Sequence, residues 1–163
     1  MVTGVLELLA TRGLPASGKT RFARGWVAED PSARARVSRD DTRAMLHGGW
    51  LGTSWQERQV TVVTHGAILD LLRQGVSVVE DGTNLADKHL VALWDIAERT
   101  GAAFRVVDLT DVPFEVCVAR DAVRPRSTRV GRESMLRMFE RHLQGRPRPL
   151  PLPPLVRSAL ETR

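Results

Sequence analysis

At 163 residues the chain is long enough for one domain that buries roughly 70% of its unfolded surface, and a single cysteine, Cys117, excludes an internal disulfide or a multi-cysteine metal site. One lone thiol, no basic leader and no apolar window near the roughly 18 residues of a spanning helix lead us to expect a soluble, cytoplasmic protein with no membrane partner. The formal charge of +5 is unevenly placed: residues 120–148 hold nine arginines against three acids, a local +6 that leaves the rest near −1 and suits phosphate-rich partners.

The first apolar run, residues 5–10, is short and bounded by turn residues, which predicts a buried strand. Residues 13–20 then spell Gly-Leu-Pro-Ala-Ser-Gly-Lys-Thr, the pattern G-x-x-x-x-G-K-[ST], and helical spacing follows over residues 20–28. Strand, glycine-rich loop and helix in that order make an anion nest. Gly13 and Gly18 let successive amide N–H groups of the loop, in which Pro15, Ala16 and Ser17 lie, turn inward, and the helix adds its positive end. The pattern predicts a nucleoside triphosphate bound with Mg²⁺, with Lys19 bridging the β and γ phosphates and the Thr20 hydroxyl offered to the metal. Lys19 and Lys88 are the only lysines among 24 basic residues.

Residues 35–38 read as a second strand and residues 42–46 as a short helix, with Arg39, Asp40 and Asp41 between them. In an open α/β sheet the ligand crevice lies beyond the carboxyl ends of the strands. Adjacent residues leaving a strand point apart, so we expect Asp41 to cap the helix that starts at Thr42 and Asp40 to face the phosphate cradle. There Asp40 either takes the proton of an attacking hydroxyl or simply pairs with Arg39 and Arg43, and Arg43 is placed to grip a phosphate on the acceptor.

Beyond a loop carrying Trp50 comes a helix over residues 55–73, capped by Thr53 or Ser54 and closed by Gly75. Trp26 and Trp94 have apolar neighbours at helical spacing and are expected in the core, whereas Trp50 or Trp55 could stack on a base. Residues 76–80 predict a third strand, and "EDGTNL" follows it with Asp81, Thr83 and Asn84 on the rim. The D-x-D-G-T phosphatase pattern is excluded there, because Val79 stands where its nucleophile belongs. A helix over residues 88–99 closed by Gly101, a strand over 104–109, a helix over 113–123 opened by Asp111 and Pro113, and a helix over 133–143 complete the series. The histidines at 47, 65, 89 and 142 lack metal-ligand spacing and are assigned no chemistry. After Leu143, "GRPRPLPLPP" holds five of the nine prolines and predicts an extended tail. The expected organisation is therefore a domain over residues 1–144 and a proline-rich tail over 145–163. Strands alternating with helices predict an α/β fold of the P-loop type, an open parallel sheet with helices on both faces.

"GLPASGKT", "SRDDTR" and "EDGTNL", followed by the arginine-studded segment, resemble the P-loop 5′-hydroxyl polynucleotide kinases of phages and bacterial RNA-repair enzymes, over residues 6–143. The resemblance implies that Asp40 activates a 5′-hydroxyl and that Arg43 holds the acceptor's neighbouring phosphate. It also puts Asp81, Thr83 and Asn84 on the acceptor side and makes the arginine segment a lid. In that lid Arg124 matches the arginine on the donor phosphates, with Arg126 as its rival, and Arg120 lies nearer the nucleobase. The implied activity moves the γ-phosphate of ATP or GTP to a 5′-OH end of DNA or RNA, in a bacterial or phage-infected cell, with no phosphatase domain in this chain. Three other functions fit the residues less closely: a P-loop kinase of a small metabolite or antibiotic, a kinase of a hydroxymethylated base in DNA, and a nucleotide-binding switch without catalysis.

Overall fold

The computed structural model describes residues 4–49 and 52–162. Trp50, one of the two tryptophans considered for base stacking, lies outside them. Four strands, β1 (Glu7–Arg12), β2 (Arg34–Ser38), β3 (Ser77–Asp81) and β4 (Ala103–Asp108), form a parallel sheet in the order β2-β3-β1-β4. Around it lie α1 (Lys19–Glu29), α2 (Arg39–His47), α3 (Ser54–Arg73), α4 (Asp87–Thr100), α5 (Phe114–Ala122), α6 (Arg132–His142) and α7 (Pro154–Glu161), with a 3₁₀ turn at Arg126–Thr128. Parallel strands need crossovers, and right-handed crossovers that run first one way and then the other put helices on opposite faces. Ala23 and Trp26 of α1 accordingly pack with Leu9 and Val79 on one face. On the other face Ile68 of α3 and Leu90, Leu93 and Ile96 of α4 cover Leu8, Ala10 and Val78. The fold is the P-loop type that the strand and helix alternation predicts.

Local signals explain most boundaries. Thr53 and Gln56 form a capping box at the start of α3, and Gly101 ends α4 in the left-handed conformation, φ 69°. β1 begins and ends two residues later than the apolar run suggests, because Thr11 and Arg12 pair with β4 and are fully buried. Arg12 escapes the cost of burial by hydrogen bonding in four directions: to the carbonyls of Asn84 at 3.1 Å, Leu85 at 3.4 Å and Pro151 at 3.0 Å, and to Asp87 at 2.7 Å.

Two expectations are corrected. α2 starts at Arg39 rather than Thr42, since Ser38 caps it by accepting from the Asp41 amide at 3.3 Å. Asp41 is therefore no cap; it lies in the first turn and its carboxylate meets Arg36 at 2.5 Å. The tail is irregular through residue 153 and then forms α7, with Pro154 at its first position, where a missing amide is harmless. Val156 enters the main core, and Leu150 joins the smaller cluster of Leu14, Leu85, Cys117, Met135 and Leu143.

Candidate active site

The loop between β1 and α1 is built as a cradle. Ala16 and Gly18 adopt left-handed conformations, φ 62° and 110°, which turn consecutive amides to one side. A side chain at residue 13 is barred, since a Cβ there would lie 2.7 Å from Ser17 Oγ and 3.2 Å from the Leu109 carbonyl. Ser17 Oγ is buried and has no hydrogen-bond partner among the described residues, an orphaned group at the base of an anion site. The Lys19 ammonium donates to the carbonyls of Gly13 at 3.0 Å and Leu14 at 2.6 Å. Burial pushes its pKa down to about 8, against the opposing fields of Asp81 and Asp40. A cavity of about 750 Å³ runs from the cradle along α1 past Trp26 and is walled on the far side by Leu109, Arg120 and Arg124. Trp26 thus serves both the core and this cavity.

At the carboxyl end of β2, Asp40 projects from the first turn of α2 with its side chain 90% exposed. Arg43, one turn on, is buried and held by three bonds: Nη1 donates to Asp40 Oδ1 at 2.6 Å, Nε and Nη2 to Glu57 at 2.6 and 2.9 Å. The bonds to Glu57 hold the Arg43 guanidinium above its ordinary pKa, and the same bonds hold the Glu57 carboxyl below its own. Arg39 reaches the same Glu57 at 3.3 Å and Thr61 at 2.9 Å. Asp40 Oδ2 receives no hydrogen bond among the described residues.

Between cradle and α2 lies the rim after β3. Asp81 is buried and held by two hydrogen bonds from Arg36, at 2.8 and 2.6 Å. The Thr83 carbonyl accepts from the Gly13 amide at 3.0 Å, and Asn84 Nδ2 donates to the Thr11 carbonyl at 2.8 Å and to Glu80. Asn84 has φ 43°, a conformation that side chains seldom adopt. Glu80, on the other strand face from Asp81, is wholly enclosed; burial pushes its carboxyl up to about 7, with the Asn84 hydrogen bond pulling the other way.

Over the cavity, α5 and α6 are joined by a clip that Asp121 organises, accepting from the amides of Val130 and Gly131 at 3.1 and 2.9 Å. Arg124 lies 3.6 Å from Asp121 and lines the cavity with Arg120. Arg126 sits in the 3₁₀ turn, outside the cavity's lining.

A family model described as an AAA domain, AAA_33, matches residues 8–148. The chain belongs to the AAA_33 family. No curated protein matches it. Among solved structures, this AAA_33 chain is similar to one in the Pnkp1/Rnl/Hen1 RNA repair complex, with 27% identity and a TM-score of 0.64, over 83% of this chain and 43% of that one. A second structure of the Pnkp1/Rnl/Hen1 complex shows 32% identity and a TM-score of 0.57, over 71% and 39%. The AAA_33 chain thus spans less than half the length of these two. Kti12 of Chaetomium thermophilum in complex with ADP-AlF3 shares the fold at 18% identity and a TM-score of 0.64, over 90% and 88%. The AAA_33 domain has a P-loop kinase fold.

Of the residues singled out in the sequence, the AAA_33 fold gathers Ala16, Ser17, Gly18, Lys19, Thr20, Arg120 and Arg124 around one cavity. Gly13 and Pro15 belong to the loop beneath it. Asp40 and Arg43 pair with each other outside that lining, with the charge of Asp40 acting on Lys19, and Asp81, Thr83 and Asn84 form the rim. Glu57, Glu80 and Asp121 were not foreseen. Glu57 and Asp121 reach their partners across a helix end or a clip, fourteen and nine to ten residues away, and match no motif. Glu80 stands inside "EDGTNL", four residues before Asn84, but strand alternation alone does not show that it faces Asn84. Among the described residues no helix is long and apolar enough to cross a membrane.

Proposed function

We propose that this domain transfers the γ-phosphoryl of ATP or GTP to the 5′-hydroxyl end of DNA or RNA. The observation that carries the reading is the Asp40–Arg43 pair: an exposed carboxylate with one oxygen held by a buried arginine and the other open, its charge acting on Lys19. Likeness at 27% and 32% identity to chains of Pnkp1/Rnl/Hen1 complexes supports the choice of acceptor.

The donor triphosphate lies over residues 13–20, with loop amides and Lys19 against its β and γ oxygens and Arg120 and Arg124 across the cavity. Mg²⁺ keeps most of its waters and takes one or two protein oxygens, a demand that the Thr20 hydroxyl in the cavity wall fits. When bound, it neutralises charge on the β and γ phosphates. Asp40 Oδ2 accepts the proton of the 5′-hydroxyl as its oxygen bonds to the γ-phosphorus. The bond from that phosphorus to the β-γ bridging oxygen breaks in line, and a nucleoside diphosphate leaves. Arg43, steadied by Glu57, turns its remaining N–H groups to the acceptor's first phosphate, and Asp81, Thr83 and Asn84 shape the rim beneath it.

The test is transfer of labelled γ-phosphate to 5′-hydroxyl DNA and RNA oligonucleotides, run beside a panel of small alcohols. Asp40→Asn should lower turnover by about 10² to 10⁴ while ATP binding persists. Turnover on small alcohols alone would replace this reading with a metabolite kinase, and an Asp40→Asn variant of normal rate would remove the assigned base.

A further inference from the structure

On the opposite face of the sheet from α1 is a second cavity, of about 290 Å³, lined by the end of β3, the start of α2 and residues of α3 and α4. Its floor is apolar, Ala92 and Leu93, and its walls are polar. Glu80 is 3% exposed and lines it, with Asn84 Nδ2 on Oε2 and no hydrogen bond to Oε1 among the described residues. Oε1 is not among the fully buried atoms left without a partner, so a donor in the cavity can reach it. Arg39 and Lys88 line it as cations, and His65 and His89, both lowered in pKa by burial, complete the lining. An apolar floor, a buried acceptor and cations in the lining match a planar heterocycle with N–H groups, carried on a phosphate backbone.

The cavity is joined to the reaction centre through one carboxylate. Arg39 in its wall and Arg43 beside Asp40 both bind Glu57. From the other side Asn84 spans Glu80 and the Thr11 carbonyl, next to the cradle, in a backbone conformation that strained functional positions favour. An occupant would therefore be held in register with Asp40.

We propose that this cavity seats the terminal nucleoside of the acceptor, its base donating a hydrogen bond to Glu80 and its backbone passing Arg39 and Lys88. The proposal rests on the polynucleotide-kinase reading given above and adds to it a second anchoring point, separate from the Asp40–Arg43 pair.

The experiment compares 5′-hydroxyl oligonucleotides that carry each of the four terminal bases with one whose terminal sugar is abasic. On the unaltered protein the abasic acceptor should lose about tenfold or more in kcat/KM. Ala92→Phe, which fills the cavity, should bring normal acceptors down to the abasic level with the KM for ATP unchanged. Glu80→Gln should reorder the four bases. Equal use of abasic and normal acceptors by the unaltered protein would overturn the proposal while leaving the kinase assignment standing. So would an Ala92→Phe loss shared equally by ATP. Failure to label any oligonucleotide would instead sink the kinase assignment, and this proposal with it.

Discussion

Glu80 is enclosed, and Asn84 is its hydrogen-bond donor, so its ionisation is linked to folding. Its folded pKa is raised from 4.5 to about 7. The stabilisation it brings as a neutral acid is thus complete below the unfolded value and lost as pH rises through the folded one. The full swing is about 3 kcal/mol at 1.36 kcal/mol per unit. Glu80→Gln keeps the acceptor for Asn84 and removes the titration, so the melting temperature of the variant relative to the parent should climb between about pH 5 and about pH 8. A constant offset would show that Glu80 does not titrate in this window. Lys19 has the opposite sign: its folded pKa, depressed to about 8, makes it a burden that lifts only as pH rises toward 10.5. Phosphates relieve that burden by giving the ammonium a better partner than two loop carbonyls.

Two elements remake the molecule beyond what the motifs announce. The tail returns to the sheet because Arg12 holds the Pro151 carbonyl and Thr110 Oγ1 accepts from the Leu150 amide at 3.0 Å. Leu150→Ala should cost about 2 to 5 kcal/mol in chemical denaturation, as in a packed core; a cost near zero would mean that the tail is merely laid on the surface. Prolines forbid a helix where they cluster, yet the first helical turn tolerates them, so composition alone could not foretell α7. In the clip between α5 and α6, Arg124 faces the cavity and Arg126 does not. A charge-stabilising arginine is worth about 10³ to 10⁵ in rate, so Arg124→Ala should cut turnover far more than Arg126→Ala. Equal losses would overturn the assignment. The glycine-rich loop and the strand and helix order were legible because they depend on neighbours in sequence. The start of α2 was misread because Ser38, counted as strand, doubles as its cap. The grip of Glu57 on Arg43 was invisible because it spans two helices.

For the whole molecule, charge is the second organiser after the sheet. The arginine-rich segment over residues 120–148 runs from the end of α5 through the clip and α6 into the tail, and it puts Arg120 and Arg124 in the cavity wall. If it guides a polyanionic acceptor, kcat/KM for an oligonucleotide should fall about tenfold or more between about 50 and about 200 mM salt, whereas KM for ATP should move less. Indifference to salt would point to a small acceptor. The cradle and the rim are also fastened to each other, Gly13 to Thr83 and Thr11 to Asn84, across neighbouring strands. In the proposed reaction, donor and acceptor meet at a spacing set by these two bonds before either one arrives. This bench is fixed at two strands, and the arginine clip, which lends Arg124 to the cavity wall, is among the described residues the part of the site that no strand fastens.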